Sequence, residues 1–382
     1  MNKICAVIGS RANYASIKTA LIAIKKNKKL KLKIVAIASS VLERYGNVSE
    51  IMIKDGLKPD YYVHSLIEGE TPKTMAMSTG LGLLELPDLF DRIKPHCVLT
   101  VGDRYETMST VIAASYMNIC IAHTMGGEVT GTIDESIRHA ITKFSHIHFP
   151  SNKDSAKRII KLGENKKNVY VVGCPRIDLV KKILQEKRPS FVNLYKTGVG
   201  KKVNINKPFI LLSQHPVTTE FGDEEINILE SLEAIKKTKI PAIVLWPNSD
   251  AGSNDISRGI RKWREKNSNE NFYYFKNLDS RDYIHLMNLT KCLVGNSSSG
   301  IREGAFIGTP VVNIGSRQES RLMGQNVISV PSNRKKIYIA LQKQLKNGKY
   351  RSNSLYGNGT AGEKISNILS KPYPDIQKKI TY

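Results

Sequence analysis

Ionisable side chains are concentrated in one stretch of the sequence, GGEVTGTIDESIRHAITK, from Gly126 to Lys143. The apolar run Ile119–Ala122 precedes it, the glycine pair predicts a turn, and apolar residues recur at helical spacing after Asp134, a candidate N-cap. A capped surface helix with solvated charges would fit this pattern. Acids just past an apolar strand favour a site that transfers protons, because α/β proteins place their sites at strand ends. The candidates are Glu128, Asp134, Glu135, Arg138 and His139.

Two other turns in the first half of the chain place arginines at predicted strand ends. Gly9-Ser10-Arg11 follows the strand predicted over Ile4–Ile8, and Gly102-Asp103-Arg104 follows the one predicted over Cys97–Val101. An arginine at such a turn commonly pairs with a local carboxylate. Two of them at equivalent strand ends, beside acids, favour a cleft that holds an anion and handles protons.

The second half carries a candidate phosphate-binding turn, Gly295-Asn296-Ser297-Ser298-Ser299-Gly300, between a short strand and a helix predicted from Ile301. Glycines allow close backbone approach, hydroxyls donate hydrogen bonds, and a helix start favours phosphate. A serine-rich N-cap turn is the alternative, and the spacing matches neither a P-loop nor a dinucleotide fingerprint. Nearby, Glu303 suits a ribose diol and Arg317 a phosphate, although a structural ion pair would also fit either residue.

Histidines and cysteines are less informative. His215 follows a predicted strand and suits a general acid or a hydrogen-bond donor to a leaving phosphate, but it could equally be structural. His146 and His148 share one face of a predicted strand, where packing is favoured over metal binding because no third ligand is evident. The five cysteines are scattered, which predicts buried free thiols in a reducing compartment.

Composition narrows the class of protein. The chain has 382 residues, 41% of them hydrophobic, which suits two domains with sizeable cores. The formal net charge of +24 suits an anionic partner, but the lysines are spread out without interleaved aromatics, so a nucleotide is favoured over nucleic acid. The N-terminal sequence predicts a strand and no signal peptide, and apolar runs fall short of the roughly 20 residues of a membrane helix. We therefore expect a cytoplasmic protein.

Strand-like and helix-like segments alternate along the whole chain. This alternation predicts an α/β fold of two Rossmann-like, doubly wound domains that face a cleft. Residues 188–206 lack periodicity and predict a linker. We expect an N-terminal domain over residues 1–190, joined by a C-terminal helix over 362–382, and a C-terminal domain over 191–361. A strand is predicted over Asn168–Val172.

Taken together, these motifs resemble the UDP-N-acetylglucosamine 2-epimerase family, and specifically its hydrolysing branch. The resemblance implies a GT-B-like fold in which the second domain binds most of the UDP. It also implies a nucleotide-sugar substrate, a homodimer or homotetramer, and no metal or other cofactor. The matching segments keep the family order over nearly the whole chain: GSRANY, VGDRYE, GGEVTGTIDESIRHAITK, QHPVTT, PNSDAGS, GNSSSGIREGAFIGTPVVNIGSRQ and residues 324–327.

The resemblance also implies roles for individual residues. The catalytic residues would be Asp103, Glu128, Asp134 and His215. Glu128 and Asp134 are expected to transfer protons, and Asp103 to orient or activate water. Arg138 and His139 are expected to support them. The contacts to the UDP-sugar would be Arg11, Arg104, Asn248, Ser297, Ser298, Glu303 and Arg317.

The implied reaction converts UDP-N-acetylglucosamine and water into UDP and N-acetylmannosamine through 2-acetamidoglucal, which feeds sialic acid biosynthesis. Three alternatives stay open: the same chemistry on UDP-N,N′-diacetylbacillosamine in the legionaminic acid pathway, a GT-B glycosyltransferase, and a nucleic-acid-binding protein. Two positions depart from the family pattern. Ala15 stands where serine is frequent. Asn254 stands where the vertebrate enzyme has a basic residue for CMP-sialic acid, which argues against such feedback inhibition.

Overall fold

The structure, a computed structural model, describes residues 1–69, 71–130, 133–187, 194–217, 222–247, 252–276 and 278–381. The chain divides into two compact units. Unit one comprises Met1–Glu128, Ile133–Leu179 and Tyr356–Tyr382, and unit two comprises Val129–Thr132 and Val180–Leu355. The predicted boundary between residues 190 and 191 lies outside the described residues.

Unit one contains a six-stranded parallel sheet in the described part of the chain. Its strands are β1 (Asn2–Ile8), β2 (Leu30–Ile37), β3 (Tyr61–Val63), β4 (Cys97–Val101), β5 (Cys120–Thr124) and β6 (Ile147–Phe149). They lie in the order β3-β2-β1-β4-β5-β6, the order of a doubly wound Rossmann sheet. β4 is buried along its whole length, as its nearly continuous apolar sequence predicts.

A helix lies between each pair of successive strands of unit one, and two more helices follow the last strand. They are α1 (Arg11–Lys26), α2 (Val48–Lys54), α3 (Pro72–Ile93), α4 (Tyr105–Tyr116), α5 (Asp134–Phe144), α6 (Lys153–Lys161) and α7 (Pro175–Gln185). The division between the units falls within α7. α3 packs against α4, and α4 against α5. Their apolar side chains, including the fully buried Phe90, Val111 and Ile141, form a core with residues of β1, β2, β4 and β5.

Unit two contains a seven-stranded sheet among its described residues. The strands are β7 (Val199–Gly200), β8 (Ile210–Ser213), β9 (Ala242–Leu245), β10 (Phe272–Phe275), β11 (Cys292–Gly295), β12 (Val311–Ile314) and β13 (Val327–Val330). Their order is β13-β12-β11-β8-β9-β10-β7. The strands from β8 to β13 are parallel and repeat the Rossmann order, whereas β7 pairs antiparallel with β10 at the edge.

Helices of unit two lie between most of these strands along the described chain. They are α8 (Leu194–Thr197), α9 (Glu224–Lys236), α10 (Ser253–Lys266), α11 (Ser280–Leu289), α12 (Ser298–Ile301), α13 (Glu303–Ile307) and α14 (Arg334–Asn347). α9 packs against α10 and α14. Trp263 of α10 lies against Phe272 of β10, with ring centroids 4.6 Å apart, in the core of the unit. The predicted α/β class with two Rossmann-like units is therefore confirmed.

Helix α15 (Ala361–Leu369) belongs to unit one and packs against α1. Glycine at 362 permits this close approach, since a Cβ there would lie 2.8 Å from the carbonyl oxygen of Thr19. The predicted C-terminal helix over 362–382 is too long. It ends at Leu369 because Pro372 and Pro374 lack the amide hydrogens that a continuing helix would need. Among the residues described, no helix has the length and apolar character needed to cross a membrane.

Two other predictions of local structure are wrong. Asn168–Val172 forms only an isolated bridge between Val169 and His148, because Pro150 next to it has no amide hydrogen to continue a ladder. The helix predicted from Ile301 is instead the pair of short helices α12 and α13, which meet at Arg302. Glycines within this stretch weaken a continuous helix.

Candidate active site

Arg138 of α5 holds several acids together at the carboxyl ends of β4 and β5. Its side chain is 1% exposed. Nη2 donates to the carboxylate of Asp103, and Nη1 donates to the carbonyl oxygen of Glu128 at 2.8 Å and to Glu135 Oε2 at 3.2 Å. Burial alone would lower the pKa of Arg138, but the charges of Asp103, Glu128 and Glu135 outweigh it and raise the pKa. The guanidinium therefore stays charged and fixes the positions of these acids.

Glu128 is the buried acid of this group, with 3% of its surface exposed. Its Oε1 accepts a hydrogen bond from Ser151 Oγ at 2.7 Å. The turn before it requires glycine at 127, where φ is +71° and a Cβ would lie 2.2 Å from the carbonyl oxygen of Ser155. The glycine turn that the sequence predicts therefore fixes the path of the chain from the end of β5 to Glu128.

Asp134 is the first residue of α5, and Ile133 occupies the N-cap position that the sequence assigned to Asp134. A negative charge at this partly exposed position is stabilised by the helix dipole. Glu135, the next residue, binds His139 Nε2 at 2.8 Å as well as Arg138. The start of α5 thus carries two acids, and Arg138 links one of them to Asp103.

Two predicted substrate contacts follow β1 and β4, the central strands where the strand order reverses and where doubly wound sheets bind ligands. Arg11 is the first residue of α1, and Ser10 caps that helix by accepting from the Asn13 N–H at 3.2 Å. Arg104 directly precedes α4, and its Nε donates to Glu106 Oε1 at 2.9 Å. The predicted pairing of a strand-end arginine with a local carboxylate is therefore present at Arg104.

His123 is a buried residue of this region that the sequence did not single out. Burial lowers its pKa to about 4, so the imidazole is neutral near pH 7. Its Nε2–H donates to the carbonyl oxygen of Gly102 at 2.7 Å and holds the turn directly before Asp103. A Cβ on Gly126 would lie 2.9 Å from His123 Nδ1, so the first glycine of the pair leaves room for this ring.

Asn296 organises the corresponding place in unit two, at the ends of the central strands β8 and β11. Its Oδ1 accepts from the His215 N–H at 2.7 Å, and its Nδ2 donates to the His215 carbonyl oxygen at 2.8 Å. Its own carbonyl oxygen accepts from Arg317 Nη1 at 3.2 Å and from Gln318 Nε2 at 3.0 Å. The buried amide therefore joins two predicted residues, His215 and Arg317. The sequence placed Asn296 in the candidate phosphate-binding turn but did not assign it this joining role, although an asparagine directly after a strand-end glycine was the available signal.

The serine turn is built from linked hydroxyl groups. Ser297 is the N-cap of α12, its Oγ lies 2.8 Å from Ser299 Oγ, and the Tyr283 hydroxyl also hydrogen bonds to Ser299. Ser298 begins the helix and is partly exposed. Because α12 has only four residues, its dipole favours an anion less than the longer predicted helix would, and the hydroxyl donors matter more. Glu303, 2% exposed, is the first residue of α13.

The remaining residues singled out in the sequence are Asn248 and two histidines. Asn248 lies outside the described residues. His146 is structural, since Nδ1 accepts from the Ile121 N–H at 3.1 Å and Nε2 donates to the Ile376 carbonyl oxygen at 3.0 Å. His148 Nε2 lies 3.0 Å from Glu164 Oε2.

Within the described ranges, no three His, Cys, Asp or Glu residues are arranged to hold a metal ion, and the five cysteines are free and buried.

Comparison with known proteins identifies the family. The family model for UDP-N-acetylglucosamine 2-epimerase matches residues 22–370. A UDP-N,N′-diacetylbacillosamine 2-epimerase (hydrolyzing) from Legionella pneumophila is 31% identical over 369 residues, covering 97% of this chain and 96% of its own length. A UDP-N-acetylglucosamine 2-epimerase from Neisseria meningitidis is 27% identical over 379 residues, with the same coverage.

A solved structure supports the same fold. The UDP-GlcNAc 2-epimerase from Neisseria meningitidis, bound to UDP-GlcNAc, superposes with a TM-score of 0.81 and 19% identity. The superposition covers 96% of this chain and 99% of the other, in the GT-B-like fold class of two Rossmann-like units. The chain therefore belongs to the UDP-N-acetylglucosamine 2-epimerase family, beside relatives of its hydrolysing branch.

Proposed function

We propose that this protein is a hydrolysing 2-epimerase that converts UDP-N-acetylglucosamine and water into UDP and N-acetylmannosamine. The observation that supports this most directly is the set of acids around Arg138, which places carboxylates at the strand ends of a chain from this family. The relative from Legionella pneumophila, which is named as hydrolyzing, supports the hydrolytic outcome.

The reaction requires UDP to leave before, or together with, the proton on C2 of the sugar. That proton is not next to a carbonyl group, so direct removal by a carboxylate would be too slow. Cleavage of the C1–O bond to UDP builds positive charge on the ring and acidifies the C2–H bond. The negative charge that develops on the departing diphosphate is proposed to be stabilised electrostatically by hydrogen-bond donors and cations: Ser297, Ser298, Arg104, Arg317 and His215.

Three other residues are assigned to the remainder of the nucleotide sugar. Glu303 is proposed to accept hydrogen bonds from the ribose diol, since a buried carboxylate at this position suits two hydroxyl donors. Arg11, at the end of β1, and Asn248 are proposed as further contacts to the substrate. Asn296 is proposed to order two of the residues assigned to the diphosphate, because its side-chain amide bonds to the His215 backbone and its carbonyl oxygen accepts from Arg317.

The proton transfers are assigned to carboxylates on opposite faces of the sugar. One carboxylate accepts the C2 proton, and the electron pair of the C2–H bond forms the C1=C2 double bond of 2-acetamidoglucal as UDP leaves. A second, protonated acid then delivers a proton to C2 from the other face, while water adds its oxygen to C1 and gives its proton to a carboxylate. Glu128 and Asp134 are proposed for C2, and Asp103, held by Arg138, for orienting or activating the water.

A second substrate has a specific observation in its favour. The Legionella pneumophila relative is named for UDP-N,N′-diacetylbacillosamine, and its identity to this chain, 31%, exceeds the 27% of the Neisseria meningitidis relative named for UDP-N-acetylglucosamine. The same elimination and hydration steps would apply, since the two sugars share the 2-acetamido group and the UDP leaving group.

The test is proton NMR of the wild-type protein in D₂O with each nucleotide sugar and no acceptor. We expect free UDP and N-acetylmannosamine with deuterium at C2 from UDP-N-acetylglucosamine. Turnover of the bacillosamine substrate alone would transfer the assignment to that sugar. A UDP-linked product without UDP release would contradict hydrolysis, and a requirement for an acceptor would indicate a glycosyltransferase.

Two variants test the assigned proton transfers. Glu128→Gln and Asp134→Asn should each lower kcat by about 100- to 10 000-fold, because each removes one acid or base. Glu230→Gln is the matched control, since this acid pairs with Arg334 and has no assigned part in catalysis or binding, and its activity should match wild type. If both active-site variants keep the wild-type rate of deuterium incorporation at C2, the assignment is wrong.

A further inference from the structure

Glu106 is a buried acid that has no role in the assignments above. It lies in the first turn of α4, is 3% exposed, and accepts a hydrogen bond at Oε1 from Arg104 Nε at 2.9 Å. Its backbone carbonyl oxygen accepts from the hydroxyls of Ser109 and Thr110 at 3.0 and 2.9 Å. Both its backbone and its carboxylate are therefore held in place.

The turn after β1 leaves space for this carboxylate. A Cβ on Gly9 would lie 2.0 Å from Glu106 Cγ and 2.7 Å from Glu106 Oε1. The side chain thus packs against the backbone two residues before Arg11, so that Glu106 lies at the ends of both central strands of unit one. This is the place where a doubly wound sheet binds its ligand.

The pair formed by Glu106 and Arg104 extends from the interior to solvent. Burial of a carboxylate is costly unless a donor compensates it, and Arg104, with a side chain 30% exposed, is that donor. The guanidinium is a rigid plane with donors on several edges, so a contact at Nε fixes the direction of the whole group. An arginine held in this way can present a fixed fork to two oxygens of a phosphate.

We infer that Glu106 is a positioning residue that orients the guanidinium of Arg104 toward the diphosphate of the nucleotide sugar. The inference rests on the proposed function, which places Arg104 beside that diphosphate. Glu106 itself does not contact the substrate in this arrangement, and its effect on binding passes through Arg104.

A double-mutant cycle measures this dependence. The dissociation constant for UDP is determined by calorimetry for wild type, Glu106→Ala, Arg104→Ala and the double variant. Glu106→Ala should raise the Kd about tenfold, whereas in the Arg104→Ala background it should change the Kd less than about twofold. Glu106→Gln should stay within about threefold of wild type, because its amide oxygen still accepts from Arg104 Nε.

Several outcomes would overturn the inference. An equal loss of affinity in both backgrounds would mean that Glu106 acts through the fold, and an unchanged Kd in Glu106→Ala would remove its role. Thermal melting identifies variants that do not fold. If Glu106→Ala does not fold, Glu106→Gln and Glu106→Asp replace it in the test. The side chain of Glu106→Asp is too short to keep the contact with Arg104, so an unchanged Kd in this folded variant would overturn the inference. Glu230→Ala, which breaks another carboxylate–arginine pair, is the control and should keep its Kd.

The same samples separate this inference from the proposed function. UDP release from both nucleotide sugars is measured in parallel, and KM should rise more than kcat falls in Glu106→Ala. A wild-type protein that binds UDP but releases none from either sugar would contradict the proposed function, while the binding cycle would still decide the role of Glu106. A wild-type protein that does not bind UDP would contradict both.

Discussion

Helix α5 has a charged cluster around one buried group near each of its ends, and the two clusters differ in composition. Near its start, one cation, Arg138, donates hydrogen bonds to the carboxylates of Asp103 and Glu135 and to the backbone carbonyl oxygen of Glu128. Toward its end, Lys143 belongs to a cluster in which one carboxylate, Glu164, receives several donors. Those donors are Lys143 at 2.7 Å, His148 at 3.0 Å and Lys378 at 2.6 Å.

Exposure distinguishes the clusters further. The side chains of Asp103 and Glu135 are 24% and 30% exposed, whereas that of Glu164 is 2% exposed. Burial alone would raise the pKa of Glu164, but hydrogen bonds from His148, Lys143 and Lys378 outweigh it and bring the pKa to about 2. An acid that is saturated with donors and closed to solvent holds the fold together. In the first cluster, Asp103 and Glu135 remain partly accessible, whereas Glu128 is 3% exposed. Charge density alone therefore does not mark a site.

The largest effect is expected when the central cation of the first cluster is removed. Arg138→Leu should lower kcat by about 1000-fold and the free energy of unfolding by about 1–3 kcal/mol, because Asp103 and Glu135 lose their shared cation and the carbonyl oxygen of Glu128 loses a donor. Lys143→Leu, on the same helix, should lower kcat less than about fivefold, since its partner Glu164 retains His148 and Lys378. UDP-release kinetics and urea unfolding measure both. Equal losses of activity would erase the functional distinction between the two clusters.

The second prediction concerns the saturated acid. Glu164→Gln should lower the free energy of unfolding by roughly 3 kcal/mol at pH 7 while kcat stays within about threefold of wild type. Because the pKa of Glu164 is lowered in the folded state, its stabilising contribution is present above the ordinary value near 4.5 and is lost as the pH falls toward 2. The difference between wild type and Glu164→Gln should therefore shrink between pH 4.5 and pH 2 in urea titrations. A difference that grows in acid would contradict this assignment.

The smallest effect is expected in unit two, where the linked groups are neutral. Tyr283→Phe removes the hydroxyl that bonds to Ser299 and, through it, orders Ser297. We expect KM for the nucleotide sugar to rise about threefold with kcat unchanged, as one neutral hydrogen bond would predict. Steady-state kinetics checks this, with Tyr338→Phe on α14 as the control. A loss as large as that of Arg138→Leu would show that neutral hydroxyls matter as much as the buried charge.

Much of the fold could be predicted from local patterns. Nearly continuous apolar strands such as Cys97–Val101 and Val311–Ile314 predict buried parallel sheets, because such a strand is covered on both faces. The predictions that were wrong depend on backbone details of single residues. Pro150 prevents the bridge at Val169 from extending into a strand. Pro372 and Pro374 keep the last helix from continuing to residue 382 as predicted.

The candidate site could be predicted only in part. Strand-end position was enough to select Asp103 and Glu128, since parallel strands end at a common edge. Strand-end position could not predict the central place of Arg138. Its position along α5 is that of a residue on a surface helix, but its side chain is buried where α5 packs against the ends of two strands. Asn296 and Glu106 stand in motifs that the sequence analysis singled out, but their contacts could not be predicted, because each reaches a second turn that is distant in sequence.

The position of α15 bears on how the protein is made on the ribosome. α15 packs against α1, and Asn2 Nδ2 donates to the carbonyl oxygen of Leu369 at 3.2 Å, so unit one draws on both the first and the last parts of the chain. Translation of Val180–Leu355 takes about 10 to 35 seconds at about 5–20 residues per second. During that interval the apolar face of α1 has been synthesised without its covering helix, while unit two can fold as it emerges. Chaperone protection of the nascent chain is therefore most valuable before residue 361 appears.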